Sequence, residues 1–286
     1  MPTDFKLQDT KGTDWDALAA EYKSFSSGPA TASIKSLLSR TNATLPFAQA
    51  TAILDNGCGP GPITAALLET HGAELPASCP ILAADFSEGM VKQVDEAKAR
   101  ALAAGEEGWQ RVQTKVLDAM DLQGVADGSQ SHVLAGWVYF MTADPNKCLS
   151  ESLRVLAPGG VLACTAWEGS EWLDVMNTLK GVRPDLKLPE LPKAWSDAGL
   201  LKGELERAGF REVVCEKVAV KMQFERHETL VEWLLTKLPH IVAVTKDLSE
   251  EEMGRYREAA TKLCREYCPN APGELSGRSL LAIGRK

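Results

Sequence analysis

The sequence predicts an α/β fold in which seven strands form a mostly parallel sheet, with flanking helices and an inserted helical cap. Three observations carry this prediction. Short apolar runs alternate with helical patterns after residue 50, which is typical of βαβ units. A glycine-rich turn joins the first apolar run to the first of these helices. Nearly sixty residues with helical periodicity then separate the last two apolar runs.

The elements follow in order along the chain. We expect strands at residues 52–55, 80–85, 111–117, 132–139, 161–167, 213–218 and 279–283. Between them, helices are expected at 62–69, 87–104 and 146–156. Ser87 is a suitable N-cap for the second helix, and the run Pro158-Gly159-Gly160 stops the third.

Three segments fall outside this alternation and are expected to form the cap. Residues 1–48 have helical spacing, and residues 168–195 hold three prolines, which predicts a loop-rich connection. Residues 219–275 contain two amphipathic helical patterns, at 230–238 and 250–267. We therefore predict a single domain over residues 1–286 whose cap covers the mouth of the sheet.

Composition limits the class of partner and the compartment. The 286 residues are 44% hydrophobic and 24% charged, as in an ordinary globular protein, and the net charge is −8. No stretch is strongly basic, which argues against nucleic acid or an anionic membrane as the main partner. The N-terminus has no secretory pattern, no apolar run could span a bilayer, and seven cysteines suit a reducing compartment, so we expect a cytoplasmic protein.

The glycine turn is the most informative motif. It follows Asp55 and places Gly57, Gly59 and Gly61 at alternate positions. Glycines at a strand-to-helix turn let a ligand approach the backbone. The dinucleotide fingerprint fails because its third glycine would fall on Pro62 or Thr64. The D-x-G-x-G-x-G spacing instead resembles motif I of the class I S-adenosylmethionine (SAM) methyltransferases.

The resemblance extends beyond this motif, from about residue 15 to residue 167. Residues 15–22 are similar to the W-x-x-x-A-x-x-Y opening of many small-molecule methyltransferases, and residues 154–160 match an R-x-L-x-P-G-G turn of the family. Residues 54–59, 85–90 and 165–167 resemble fungal secondary-metabolite methyltransferases, including the thiol methyltransferases that act on epidithiodiketopiperazines such as gliotoxin. This resemblance implies a Rossmann-like fold, SAM as cofactor and S-adenosylhomocysteine as product.

Strand ends and family motifs together give the candidate cofactor site. Asp85 ends the second strand, where an acid can accept hydrogen bonds from ribose hydroxyls. By resemblance, Asp55 reaches the cofactor's amino group, Tyr22 closes over its carboxylate, and Asp118 binds the adenine amino group, with Asp121 as the competing acid. Met90 and Tyr22 fit core packing nearly as well. The candidates are Tyr22, Asp55, Gly57, Gly59, Gly61, Asp85, Phe86, Ser87, Met90, Asp118, Ala119, Met120 and Gly136.

The edge after the fourth strand is aromatic and would face the transferred methyl group. The candidate substrate-binding residues are Trp137, Tyr139, Phe140 and Trp167. This edge has no histidine, lysine or carboxylate. A hydroxyl acceptor needs a positioned base, whereas a thiol is partly ionised near pH 7 and a neutral amine needs none. The pattern favours a thiol or an amine, or a hydroxyl whose base comes from the cap. His227 and His240 are the cap histidines, and an exposed or hydrogen-bonded helix position explains each of them better than a base.

The resemblance implies in-line transfer that relies on proximity and orientation, so no catalytic residue is assigned. No metal is expected, because the Cys264 and Cys268 pair lacks further ligands.

Three other functions remain open. The glycine spacing argues against a nicotinamide-dependent dehydrogenase. The acidic net charge and the expected covered pocket argue against a macromolecular methyl acceptor. A SAM-binding cyclase that transfers no methyl group would share every cofactor motif. The expected partner is a small molecule, and the sequence leaves monomer or homodimer open.

Overall fold

In the computed structural model, which describes residues 6–16 and 18–286 (without the side chains of residues 8 and 20–30), one seven-stranded sheet organises the chain. Its strands are β1 (Ile53–Asn56), β2 (Ile81–Asp85), β3 (Val112–Val116), β4 (Gln130–Gly136), β5 (Leu156–Ser170), β6 (Arg211–Phe224) and β7 (Gly273–Arg285). They lie in the order β3-β2-β1-β4-β5-β7-β6. Only β7 runs antiparallel to its neighbours among these strands. The predicted fold class is confirmed.

Helices cover the sheet and build the cap. They are α1 (Gly12–Asp16), α2 (Ala19–Thr44), α3 (Pro62–His71), α4 (Glu88–Ala103), α5 (Pro145–Val155), α6 (Glu171–Asn177), α7 (Leu179–Val182), α8 (Ala198–Arg207), α9 (His227–Thr236), α10 (Pro239–Thr245) and α11 (Glu250–Tyr267). Ser87 is the N-cap of α4, and its hydroxyl accepts a hydrogen bond from Met90 N at 3.1 Å. No helix in the described part of the chain has the length and apolar character needed to cross a membrane.

Successive residues of each central strand pack on opposite faces of the sheet. On β1, Leu54 joins a core with α5 and α8, whereas Ile53 joins a second core with α2, α3 and α4. Both faces of the inner strands are therefore buried, as expected for parallel strands that have helices on each side. This burial fixes the carboxyl ends of β1, β2 and β4 at one edge.

A third core lies beyond this edge and forms the cap. Helices α6, α7, α9, α10 and α11 pack against the outer halves of β6 and β7, with Val220, Met222 and Leu275 at the contact. Tyr256 on α11 is fully buried, and its hydroxyl donates to the carbonyl of Met176 at 2.6 Å. The long antiparallel pair of β6 and β7 thus carries the cap on the strands that lie farthest from β2.

The structure corrects three sequence predictions. The fourth strand, expected at 132–139, ends at Gly136 because Trp137 has φ of 54° and leaves the pleat. Residues 168–195 hold α6 and α7, because the prolines that suggested loop structure all follow Val182. Strands β6 and β7 are longer than expected. Their outer halves pair with each other and pack against the cap helices.

Candidate functional site

The glycine turn lies across the end of β2. The backbone N–H groups of Gly57 and Cys58 donate to the carbonyl of Ala84 at 2.8 and 2.9 Å. Gly57, Gly59 and Gly61 have φ values of 72°, 52° and 86°, which glycine adopts without strain. A Cβ on Gly57 would lie 2.5 Å from the side chain of Val138. A Cβ on Gly59 would meet nothing within 4 Å, so the turn leaves room for a ligand at Gly59 and is closed by Val138 at Gly57.

Asp85 ties this turn to the start of α4. Its side chain is nearly buried, and its two oxygens accept hydrogen bonds from Gly59 N at 2.9 Å and from Ser87 N at 3.0 Å. Burial raises the pKa of Asp85, and the nearby Asp16 adds to that rise. Each carboxylate oxygen has a second lone pair. Asp85 can thus hold the turn and still accept hydrogen bonds from ligand hydroxyls.

Asp55 is the most perturbed carboxyl of the site. Its Oδ2 accepts from Thr64 N at 3.1 Å and from Thr64 Oγ1 at 2.6 Å, but its Oδ1 is buried without a partner in the described structure. Burial raises its pKa from 3.8 to about 7, against the lowering effect of the two Thr64 hydrogen bonds. An orphaned carboxylate oxygen beside a glycine cradle fits a ligand that carries an ammonium group.

The ends of β2 and β3 lie side by side, because Asp85 and Val116 are register partners. Phe86 follows β2 and is 42% exposed. In the turn after β3, Asp118 Oδ1 accepts from Met120 N at 2.8 Å, and Asp121 is exposed. Ala119 is buried and Met120 is half-buried against the core. The residues that follow β2 and β3 therefore lie near one another at this edge.

The N-terminal segment packs onto the start of α4. Asp16 Oδ1 accepts from Ser87 Oγ at 2.6 Å and from Gly89 N at 2.8 Å. Met90 is buried in a small cluster with Trp15, Leu18 and Ala19. Sequence reasoning missed Asp16. Gly89 leaves it space, since a Cβ on Gly89 would lie 2.8 Å from the Asp16 backbone. The side chain of Tyr22 lies outside the described structure.

The predicted acceptor residues separate into two pairs. Trp137 and Trp167 are half-buried and stacked at the ends of β4 and β5, with ring centroids 5.2 Å apart and an interplanar angle of 19°. Tyr139 and Phe140 are buried in the core beneath them. Gly136 lies against Ile63 of α3, so close that a Cβ would be 2.7 Å from Ile63 Cδ1.

Tyr139 belongs to a buried polar network. Its hydroxyl accepts from Asn56 Nδ2 at 3.1 Å and lies 2.6 Å from Ser152 Oγ, and burial raises its pKa. Sequence reasoning missed Asn56, whose amide reaches this hydroxyl from β1. Asn56 Oδ1 is buried without a partner in the described structure. The polar residue within an apolar strand end was the available signal.

The cap histidines lie in packed positions. His227 is buried, with Nε2 2.7 Å from the carbonyl oxygen of Cys268. Burial lowers the pKa of His240 to about 4, so its imidazole is neutral at pH 7. Within the described ranges no cluster of three histidine, cysteine or acidic side chains could hold a metal ion.

The strand order, the glycine turn and its two carboxylates define a class I SAM-dependent methyltransferase. The methyltransferase-domain family matches residues 54–164. Methyltransferase ucsB from Acremonium sp is 39% identical over 275 residues, which cover 96% of this chain and 95% of that protein. The chain therefore belongs to the methyltransferase family, and S-adenosylmethionine is its cofactor.

Two further comparisons give a more distant relative and a structural neighbour. Acetylaranotin bis-thiomethyltransferase from Aspergillus terreus is 25% identical over 247 residues, covering 82% of each chain. The crystal structure of the [4+2]-cyclase SpnF superposes with a TM-score of 0.54 at 18% identity, covering 96% of this chain and 94% of that one. The latter likeness concerns the fold alone.

Proposed function

We propose that this enzyme methylates the thiol of a small fungal secondary metabolite. The observation that carries the proposal is the stacked Trp137–Trp167 pair, an aromatic acceptor surface on an edge without a basic side chain in residues 136–141. A thiol ionises near neutral pH and is intrinsically nucleophilic, so it needs no positioned base. The bis-thiomethyltransferase among the relatives supports the same acceptor atom.

S-adenosylmethionine supplies an electrophilic methyl group on a sulfonium. The acceptor thiol releases its proton to solvent, its sulfur forms the new S–CH₃ bond, and the electron pair of the broken bond returns to the cofactor sulfur. The chain contributes position and exclusion of water rather than proton transfer. Trp137 and Trp167 hold the acceptor, and the buried Tyr139 and Phe140 support the floor beneath it.

We assign the cofactor contacts as follows. Asp55 pairs with the cofactor's ammonium group through its unpartnered Oδ1, and the glycine backbone lies along the methionine part. Asp85 accepts from the ribose hydroxyls, Phe86 packs on the adenosine, and Asp118 accepts from the adenine amino group. Ser87 and Met90 support this wall from α4.

Asp118 and Asp121 offer a matched pair for testing the adenine assignment. Asp118→Asn keeps the acceptor for Met120 N but loses charge, and we expect it to raise the Kd for SAM several-fold. The exposed Asp121→Asn should leave that Kd unchanged. The reverse ranking would move the adenine contact to Asp121.

We further propose that residues 1–286 act as one domain whose cap selects the acceptor. Segments 168–195 and 219–275, together with the part of 1–48 that precedes α2, would close over the edge. The described side chains of α2 pack on a face of the sheet instead, with Ile34 and Leu37 in the core of β1. Packing of Trp167 against both the main core and the cap core supports closure of the cap over the edge. The same packing supports a small acceptor rather than a macromolecule.

Calorimetric titration with SAM, followed by mass analysis of a dithiol, phenol and amine panel, tests the function. The expected result is SAM binding and a gain of one or two methyl groups on the dithiol. Methylation of the phenol or amine alone would replace the acceptor with oxygen or nitrogen. SAM binding without S-adenosylhomocysteine formation on any acceptor would favour a non-methylating activity.

A further inference from the structure

Trp137 has an unusual backbone for so large a residue. It follows directly on β4 with φ of 54°, a left-handed conformation that a bulky side chain adopts only where its surroundings enforce it. Its backbone N–H donates to Oγ1 of the buried Thr165 on β5, at 3.1 Å. This hydrogen bond to β5 therefore fixes the backbone position from which the indole side chain extends.

The indole ring of Trp137 belongs to a series of three packed tryptophan rings. Trp137 stacks on Trp167, and Trp167 meets Trp172 of α6 edge-on, with centroids 5.4 Å apart and an angle of 85°. The indole Nε1 of Trp137 is nevertheless buried with no acceptor among the described residues. A buried tryptophan N–H usually has a partner, because a desolvated donor without one is costly.

The chain on either side of Trp137 packs against the glycine turn and the helix that follows it. Gly136 packs against Ile63 at the start of α3, and Val138 packs against Gly57 of the glycine turn. Trp137 stands between these two contacts in the chain. The backbone of Trp137 therefore lies beside the turn that we assign to the methionine part of the cofactor.

We propose that Trp137 determines acceptor specificity by donating its Nε1–H to a neutral carbonyl oxygen of the methyl acceptor. The Trp137–Trp167 pair then packs against a flat apolar part of the same molecule. Indole is only a donor, so its partner must be an acceptor atom. A carboxylate is disfavoured because residues 136–141 offer no cation that would compensate a buried charge. This inference rests on the proposed function and adds the chemistry of the substrate.

Two thiols that differ in one group provide the test. N-phenyl-2-mercaptoacetamide carries an amide where 3-phenylpropane-1-thiol has two methylenes. Their affinities for the protein saturated with S-adenosylhomocysteine are measured by calorimetry, in the wild type, in Trp137→Phe and in the control Trp167→Phe. We expect Trp137→Phe to lower the amide-to-alkyl affinity ratio about tenfold, the usual discrimination of a buried hydrogen bond. Trp167→Phe should weaken both thiols and leave the ratio unchanged.

A ratio that Trp137→Phe leaves unchanged, or no binding of either thiol, overturns the inference. If Trp137→Phe loses affinity for S-adenosylhomocysteine, 3-benzothienylalanine at position 137 replaces it, since its sulfur removes the N–H and keeps the ring shape. Methyl transfer to the same thiols from SAM separates the two proposals. A ratio that responds to Trp137 without any methylation would refute the thiol acceptor only, whereas methylation with an unresponsive ratio would refute the carbonyl contact only.

Discussion

The protonation of Asp55 should make SAM binding depend on pH. In the ligand-free protein burial raises the pKa of this carboxyl to about 7, and its Oδ1 has no partner in the described structure. An ammonium group placed at Oδ1 favours the ionised carboxylate and lowers that pKa. Binding below pH 7 must therefore release a proton, which weakens the apparent affinity.

The size of the effect follows from the pKa. At pH 6 a carboxyl with a pKa of about 7 is ionised in roughly one molecule in ten, so the Kd for SAM should be about tenfold higher than at pH 8. About 0.9 protons should be released per SAM bound at pH 6, and about 0.1 at pH 8. The substitution Asp55→Asn removes the titrating carboxyl and should flatten both quantities.

Calorimetry in two buffers of different ionisation enthalpy measures the proton release directly. Asp55→Asn serves as the control that subtracts any titration of the ligand itself. Equal pH profiles in wild type and Asp55→Asn would show that no ammonium group meets Asp55. A wild-type affinity that falls as pH rises from 6 to 8 would contradict the raised pKa as well.

The same carboxyl affects stability in the opposite sense to a typical acid. Its folded pKa of about 7 lies above the ordinary 3.8, so the folded protein binds more protons than the unfolded chain between these values. Its contribution to the unfolding free energy is fully present below about pH 4 and is lost as pH rises through 7. Denaturant unfolding of the ligand-free protein should show this slope relative to Asp55→Asn.

Three further substitutions test other parts of the structure. Asp85→Ala should abolish detectable SAM binding by calorimetry, because it removes the ribose acceptor and the contact that holds the glycine turn; near-normal affinity would refute the ribose assignment. Gly57→Ala should lower stability by about 2 kcal/mol in urea unfolding, since its Cβ would clash with Val138 at a positive φ; an unchanged midpoint would contradict the close approach. Tyr256→Phe should lower stability by about 1 kcal/mol through the lost hydrogen bond to Met176, while SAM affinity stays constant; altered SAM affinity would mean that the cap and the cofactor edge are coupled.

Local patterns were enough to predict the cofactor half of the fold. Short-range signals were the buried runs of β1 and β2 and the glycines between β1 and α3. A turn of a given type admits only certain residue types, so the turn can be recognised from the sequence. Ser87 could be identified as an N-cap for the same reason, since capping depends on the next three residues. The candidate residues of the glycine turn and Asp85 come together because parallel strands end at one edge.

Features that depend on distant contacts could not be predicted in this way. The end of β4 was missed because Trp137 leaves the strand with a positive φ, and its backbone N–H is held by Thr165, which lies on another strand. Asp16 was missed because its partners, Ser87 and Gly89, lie on a helix far along the chain. Burial of Tyr139 was missed too, since an aromatic run does not reveal which ring turns inward to meet Asn56.

The antiparallel pairing of β6 and β7 separates two parts of the molecule. Cap helices attach to the outer half of this pair and form a core of their own, whereas the glycine turn and Asp85 belong to strands at the other side of the sheet. Under the proposal that the cap selects the acceptor, substitutions inside the cap core should change acceptor choice while the cofactor edge keeps its geometry. Acceptor specificity and methyl-donor binding would then diverge independently within one fold.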